Sequence, residues 1–369
     1  MKYYEVNVAA RGSSYMNQII AGFTILAEQK KMAVSFGEKS SLEEEFHHTG
    51  IVEILTDGKR IICDLADGYN NFPSLSCFDE SVGAADSYLK ANCKSGFHHC
   101  LHNKDKILPL APRYAATIRN SWNNAIDLKK TKVGLQLAKE LLWHIPGTRH
   151  AISDYYYDRF EEEPRIVNKQ AKVFFYTRLW DPSIASGKSS KNIDIDGKTE
   201  KERIEKKAEE YLELSQLRAD LVKALKTEFG NRFVGGIAPD SYTVKAFSEL
   251  LGPDLSQRRV YTAQMHSSEI CVNTWGTHKC FNFSFGEELA SSRAIVSQRA
   301  FYDLPAHLTE GMNFQSYDSV EGCIQIVHHL MEHPEAVARM MQNNREYYIQ
   351  HLRPDRYVLD ILKTSGVEP

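Results

Sequence analysis

The chain has 369 residues, 42% hydrophobic and 25% charged, which excludes a disordered or fibrous protein and exceeds what one ordinary core organises. Its 45 Lys and Arg against 48 Asp and Glu leave a formal net charge of -3, so no global positive field exists to hold a nucleic acid. The seven cysteines are odd in number and form no CxxC pair; Cys63, Cys271 and Cys323 sit in apolar runs, as buried thiols of a reducing compartment do.

Residues 1–8 lack the basic start and apolar run of a secretory signal, and no apolar stretch nears the ~20 residues that a membrane helix needs. A cytoplasmic protein is expected, with no more than peripheral contact at the inner face of a membrane. Residues 3–9 are rich in aromatic and β-branched side chains and read as a buried strand. A turn at Arg11, Gly12, Ser13 and Ser14 leads into a helix over 15–29, with Ile19, Ile20, Phe23 and Leu26 at helical spacing. Residues 32–36 return to strand. The segments 51–55 and 60–65 pair through Asp57-Gly58, a hairpin signal, and 106–110 read as a short strand closing at a proline.

A second strand–helix series begins near residue 171. Residues 172–176 have a buried-strand pattern, closed by 177–182. The stretch 186–199 is dense in Lys, Ser, Asp and Gly and reads as an exposed loop. The long helix after it carries Tyr211, Leu214, Leu217, Leu221 and Leu225 on its apolar face and ends near Gly230, while the alternating Lys and Glu of 201–207 read as a solvated face. A strand at 232–237, a helix at 242–251, strands at 270–273 and 294–297, and helices over 320–331 and 334–362 complete the chain. Two such series imply an α/β protein of two Rossmann-like domains facing a central cleft. The first spans 1–168 and the second 169–340, with 341–369 a helix that crosses back to the first.

Gly12 falls between the first strand and the first helix, where doubly wound folds set ligands against helix N-termini. Neither GxGxxG nor GxxxxGK[ST] is present, so neither a dinucleotide fingerprint nor a P-loop is read, and the glycine serves a bare turn equally well. Arg178 holds the matching place after the first strand of the second half. A guanidinium there can clamp a diphosphate; a salt bridge to Asp181 is the plain alternative. Asp64 and Asp67 flank a turn after an apolar strand. An Asp in a partly desolvated cleft, its pKa modestly raised, suits the base that strips an attacking hydroxyl, although turn-making and backbone capping explain both residues too. Trp275, beside Gly276, can stack on a sugar or a base, or pack the core. His266 can meet a phosphate or sugar hydroxyl, or end a helix. His98, His99 and His102 lie near Cys100 without a standard zinc spacing and read as facing solvent or substrate. Asp194-Ile195-Asp196 lies in the charged loop rather than at a strand end, so no metal is expected.

Residues 282–297 read as a glycine turn, a short helix with Glu287 and Glu288 at its acidic start, then a buried strand. A carboxylate there can accept both hydroxyls of a ribose, although acids at a helix start are also ordinary dipole complementation. Glu287, then Ala290, Ser291 and Ser292, then Ala294-Ile295-Val296, resembles the donor-binding stretch of bacterial glycosyltransferases of the GT-B fold. Glu310-Gly311-Met312-Asn313-Phe314 and Tyr317-Asp318-Ser319 resemble the loop and helix start that follow it there, and 174–182 the opening strand of their C-terminal domain. Asp64-Leu65-Ala66-Asp67-Gly68 and Ala85-Asp86-Ser87-Tyr88-Leu89-Lys90 resemble stretches of the members that assemble polysaccharides. Leu89 and Ala91 stand where Phe and Arg are usual, and Ser292 where a glycine is common.

The resemblance implies that Arg178 meets the donor phosphates and Glu287 the ribose, with Gly286 and the following N–H groups nearby. It implies a nucleotide-sugar donor as substrate, no cofactor, and a glycan or glycolipid acceptor in cell-surface polysaccharide or lipopolysaccharide biosynthesis. Phosphate stabilisation would fall to Arg178 and helix dipoles rather than to a metal. Two further classes fit the same pattern: a nucleotide-sugar epimerase of the same two-lobed architecture, and a non-catalytic two-lobed carbohydrate- or nucleotide-binding protein.

Overall fold

The computed structural model describes residues 1–9, 14–69, 71–118, 152–186, 200–305 and 307–369; Gly12, Asp194 and Asp196 lie outside them. The first half contains β1 (Tyr3–Val8), α1 (Asn17–Glu28), β2 (Ala33–Glu38), α2 (Ser41–Phe46), β3 (Ile51–Thr56), β4 (Lys59–Asp64), α3 (Leu75–Gly83), β5 (Ser87–Lys90) and β6 (Ile107–Pro109). They form one sheet in the order β2-β1-β3-β4-β5-β6. β3 runs antiparallel to both of its neighbours, so this half departs from the all-parallel Rossmann pattern. The reason is local. Asp57 and Gly58 adopt φ of 47° and 75°, the left-handed pair of a two-residue hairpin, and so short a loop cannot return a parallel strand.

The second half contains β7 (Val173–Thr177), α4 (Glu200–Phe229), β8 (Phe233–Ile237), α5 (Thr243–Ala246), α6 (Arg258–His266), β9 (Ile270–Asn273), α7 (Phe283–Ala290), β10 (Ala294–Gln298), β11 (Phe314–Tyr317) and α8 (Val320–Glu332). The sheet order is β11-β10-β9-β7-β8, with every pairing parallel. Chain order therefore reverses between β7 and β9, and in open α/β sheets ligands bind outside the carboxyl ends of the strands at such a switch point. Two local expectations change. The helix expected over 242–251 is one turn of α5 and a 3-10 turn at Ser248–Leu250. Between the loop expected at 310–314 and the helix start expected at 317–319 lies an edge strand that was not expected, β11, its Phe314 side chain buried and its backbone in register with Ile295 of β10.

The helix expected over 334–362 is two helices, α9 (Pro334–Tyr347) and α10 (Pro354–Thr364), joined by a π-helical turn at Tyr348–Leu352. Pro354 offers no N–H and pushes Arg353 into an extended conformation, with ψ of 139°, so α9 cannot run on. α10 lies against α1 of the first half. A Cβ on Gly22 would sit 2.1 Å from the Pro354 carbonyl oxygen, so only glycine permits this approach. Gln18 Nε2 donates to the Leu352 carbonyl at 2.8 Å, and Tyr357 Oη to that of Ala111 at 3.1 Å. The apolar core of the first half continues through Tyr114, Phe160, Phe285 and Leu289 to Tyr348 and Val358, so the halves are packed together as well as facing each other. A separate core fills the second half between α4, its sheet, α8 and α9. Among the described residues no helix is long and apolar enough to cross a membrane.

Candidate functional site

At the switch point β7 runs out into Arg178, which is exposed, and β9 into Thr274 and Trp275. Arg218 joins the two strand ends from α4. Its Nε donates to Thr274 Oγ1 at 3.0 Å, Nη1 to the Arg178 carbonyl at 2.7 Å and Nη2 to the Trp275 carbonyl at 2.7 Å. Arg218 is 6% exposed, and burial pushes its guanidinium down to about 10. Among the described residues no carboxylate pairs with it. The position had a signature in the sequence. Residues 211, 214, 218, 221 and 225 follow one helical stripe, and Arg218 is the charged member of that otherwise apolar row.

A narrow crevice beside these strand ends is lined by Tyr176, Thr177, Asn273, Thr274, Ser284 and Glu288. Asn282 caps α7, its Oδ1 accepting the Phe285 N–H at 3.1 Å. Asn273 Nδ2 donates to both carboxyl oxygens of Glu288, at 3.1 and 3.0 Å. Burial nonetheless raises Glu288 well above the usual carboxylate range, because one amide does not replace the water it has lost.

The opposing edge of the first half is built around Asp64. Its carboxylate is fully buried, 3.4 Å from Lys90 Nζ and 3.2 Å from His48 Nε2, and it accepts from Tyr88 Oη at 2.7 Å and the Ala66 N–H at 3.0 Å. The Gly50 N–H donates to His48 Nδ1 at 3.0 Å, which leaves the ring proton on Nε2, facing Asp64. Burial acts to raise the Asp64 carboxyl, but Lys90 and His48 outweigh it and hold the group well below the carboxylate range. The expected modest rise is thus corrected. Asp64 is a closed structural ion whose charge is already compensated.

Asp67 is different. It is half-buried, and its Oδ1 lies 3.3 Å from Arg113 Nη2 while its Oδ2 accepts from Tyr15 Oη at 3.3 Å. The Arg113 guanidinium stacks over Tyr15 at 4.6 Å and Phe283 at 5.5 Å, and Phe283 opens α7 of the other half. Next to Asp67, a Cβ on Gly68 would lie 3.4 Å from Tyr302 Oη and 3.6 Å from His278 Cβ, so the loop carrying Asp67 abuts the one that follows Trp275. That second loop is strained, with His278 and Lys279 at φ of 59° and 57°. The Lys279 ammonium lies 5.6 Å from the Trp275 ring and 5.0 Å from Phe301. The halves are stitched here by Phe281 N–H to Asn92 Oδ1 at 3.0 Å, Lys94 Nζ to the Phe301 carbonyl at 2.6 Å and Asp303 N–H to the Cys93 carbonyl at 2.8 Å. What remains between them is a crevice edged by Ala91, Asn92, Arg113, Phe281, Asp303 and Pro305.

Asp67, Trp275 and Arg178 are therefore linked into one region, through Gly68 and His278 on one side and through Arg218 on the other. Four expected residues fall elsewhere. Glu287 sits in the second turn of α7 rather than at its start, because the Asn282 cap begins the helix earlier; it is buried in an ion pair with Arg258, whose guanidinium lies 4.6 Å from the Tyr261 ring. Gly286 serves packing, since a Cβ there would lie 2.5 Å from the Arg113 carbonyl oxygen. His266 precedes β9 and so lies at the amino edge of the sheet, away from the switch point; its Nδ1 is 3.2 Å from Glu162 Oε2 and its Nε2 is 3.1 Å from Ser291 Oγ. His98 faces neither solvent nor cleft, being buried 2.8 Å from Tyr69 Oη. Ser292 adopts φ of 54°, the conformation for which a glycine is the easy choice.

No model of a known protein family matches the chain. No curated protein matches it. Among solved structures it is similar to Anabaena HepE in complex with UDP-glucose, at 11% identity and a TM-score of 0.41, over 99% of this chain and 98% of that one. It is similar to the UDP-GlcNAc 2-epimerase from Neisseria meningitidis bound to UDP-GlcNAc, at 9% identity and a TM-score of 0.37, over 99% and 98%. The C-terminal domain of a glycosyl transferase group 1 family protein (LpcC) from Francisella tularensis aligns at 10% identity and a TM-score of 0.30, over 52% of this chain and 95% of that domain. At such identities and scores these likenesses assign no role to any residue here.

Proposed function

We propose that this protein is a glycosyltransferase of the GT-B type that moves a sugar from a nucleotide-sugar donor onto a glycan or glycolipid acceptor, without a metal, in cell-surface polysaccharide or lipopolysaccharide assembly. The observation that carries the reading is that Arg218 ties Arg178 and Trp275 together at the switch point of an all-parallel sheet, while the loop after Trp275 abuts the Asp67 loop of the opposing sheet. The nature of the transferred group and the pathway rest on the resemblance of 64–68, 85–90, 174–182 and 287–296 to such enzymes.

In this reading the donor lies on the second half. Arg178 and the N-terminus of α7 receive the diphosphate, and Trp275 stacks on the sugar or the base. The acceptor enters from the first half. Its hydroxyl oxygen forms the new bond to the anomeric carbon, its proton passes to the Asp67 carboxylate, and the bond to the diphosphate oxygen breaks as nucleoside diphosphate leaves. The developing negative charge on that leaving group falls where Arg178 offers a fixed cation, which is the task a metal performs in other transferases. Asp67 takes the base role because Asp64 is enclosed.

The test is to incubate the protein with UDP-, GDP-, TDP- and CMP-linked sugars, with and without acceptor glycans and with and without EDTA. Nucleotide release that needs acceptor and survives EDTA is expected. An isomerised donor without acceptor would instead identify an epimerase, and binding without turnover a carbohydrate- or nucleotide-binding protein.

A further inference from the structure

Arg218 is a buried cation with no carboxylate counter-charge among the described residues. Its three nitrogens bind two carbonyl oxygens and a hydroxyl, which satisfy its hydrogen-bonding geometry but leave its charge uncompensated. The contrast with the other buried basic groups is direct. Lys90 has Asp64 at 3.4 Å, and Arg258 has Glu287 as an ion-pair partner. Arg293, fully buried and also bound to carbonyl oxygens, has Glu162 and Glu269 close enough to act on its charge. For Arg218 the only other group of that kind among the described residues is the Tyr317 phenol. A charge left bare in a dry interior is strongly unfavourable, and an anion placed near it relieves that cost.

Its location says which anion. Arg218 spans the two strand ends of the switch point, holding the Arg178 and Trp275 backbones from below, with Thr274 between them. We infer that Arg218 is the standing counter-charge for the diphosphate of the bound ligand, and that it positions Arg178 and Trp275 to receive it. It is a positioning residue. It reaches the phosphates through its field and through the two carbonyl groups it orders, not by contact. The inference rests on the proposed donor site and adds a requirement to it: affinity at the switch point depends on negative charge in the ligand. The fall of the guanidinium toward about 10 by burial agrees, since an anion beside it would reverse the shift.

The experiment measures inorganic pyrophosphate and UDP binding by calorimetry to the wild-type chain and to Arg218→Lys, Arg218→Met and Arg218→Gln, with uridine as the uncharged comparison. Pyrophosphate affinity is expected to fall by about tenfold or more in R218M and R218Q and by no more than about threefold in R218K, while uridine binding falls by no more than about threefold in any of them. The loss should also shrink as salt is raised. Neutral variants that bind pyrophosphate as the wild type does, or a lysine variant as weak as methionine, would overturn the inference. R218Q keeps an amide for the carbonyl groups and decides the matter should R218M not fold. A wild-type chain that binds neither pyrophosphate nor UDP sinks the donor site itself, a result distinct from a charge-independent one.

Discussion

Two buried charge systems, one in each half, are finished in different ways. In the first half Asp64, Lys90, His48 and Tyr88 close on themselves, each charge within 3.4 Å of an opposite or donating group. In the second half Arg218 has only neutral acceptors among the described residues, and burial holds the Glu288 carboxyl, bound by Asn273, well above the usual carboxylate range. A closed ion system at the base of a loop makes that loop rigid, and the loop above Asp64 carries Asp67. An open one stays unsatisfied until something binds. Under the proposed function, the first half would hold a base still and the second would receive an anion, which is the division a donor-and-acceptor enzyme requires.

The comparison breaks most easily at Lys90. Lys90→Met leaves Asp64 buried with His48 and the neutral donors Tyr88 and Ala66 N–H but without its ammonium partner, and unfolding by urea should show a loss of about 3–5 kcal/mol. A loss under 1 kcal/mol would mean that the system is not closed as described. The acid side sharpens the same point. The folded Asp64 titrates below its unfolded value, so its contribution is complete above about pH 4 and is lost as pH falls below it. Asp64→Asn should flatten the stability profile in that acid range.

Asp67→Asn is the next largest. Its carboxylate is held by two contacts of 3.3 Å rather than enclosed, so the fold should keep its stability while kcat drops by about 10²-fold or more. A variant of full activity would remove Asp67 from the chemistry. The smallest effect is expected at Glu288. Its raised carboxyl contributes fully below the unfolded carboxylate range, and that contribution drains away as pH rises toward the folded value. Glu288→Gln should therefore gain roughly 1 kcal/mol at neutral pH and lose this dependence, as read by thermal unfolding across pH.

The alternation of strands and helices in both halves, the hairpin at Asp57-Gly58 and the extent of α4 were legible because each depends on neighbours in the chain: period, turn chemistry and capping. Arg178 and Trp275 were legible for a related reason, since a residue just past a parallel strand lies at the carboxyl edge wherever that strand sits. The break at Pro354 was missed, because helical spacing continues on both sides of it and outweighed the missing N–H. The strand order was not legible. Nothing local sets β3 beside β1 or β7 beside β9. Nor did any spacing reveal that Asp64 and Glu287 are spoken for, because their partners Lys90 and Arg258 come from other elements. Sequence fixes which groups can ionise and which face of a helix they share; burial and the counter-charges that reach them exist only once distant segments pack, and those decide whether a charged side chain is part of the scaffold or free for a ligand.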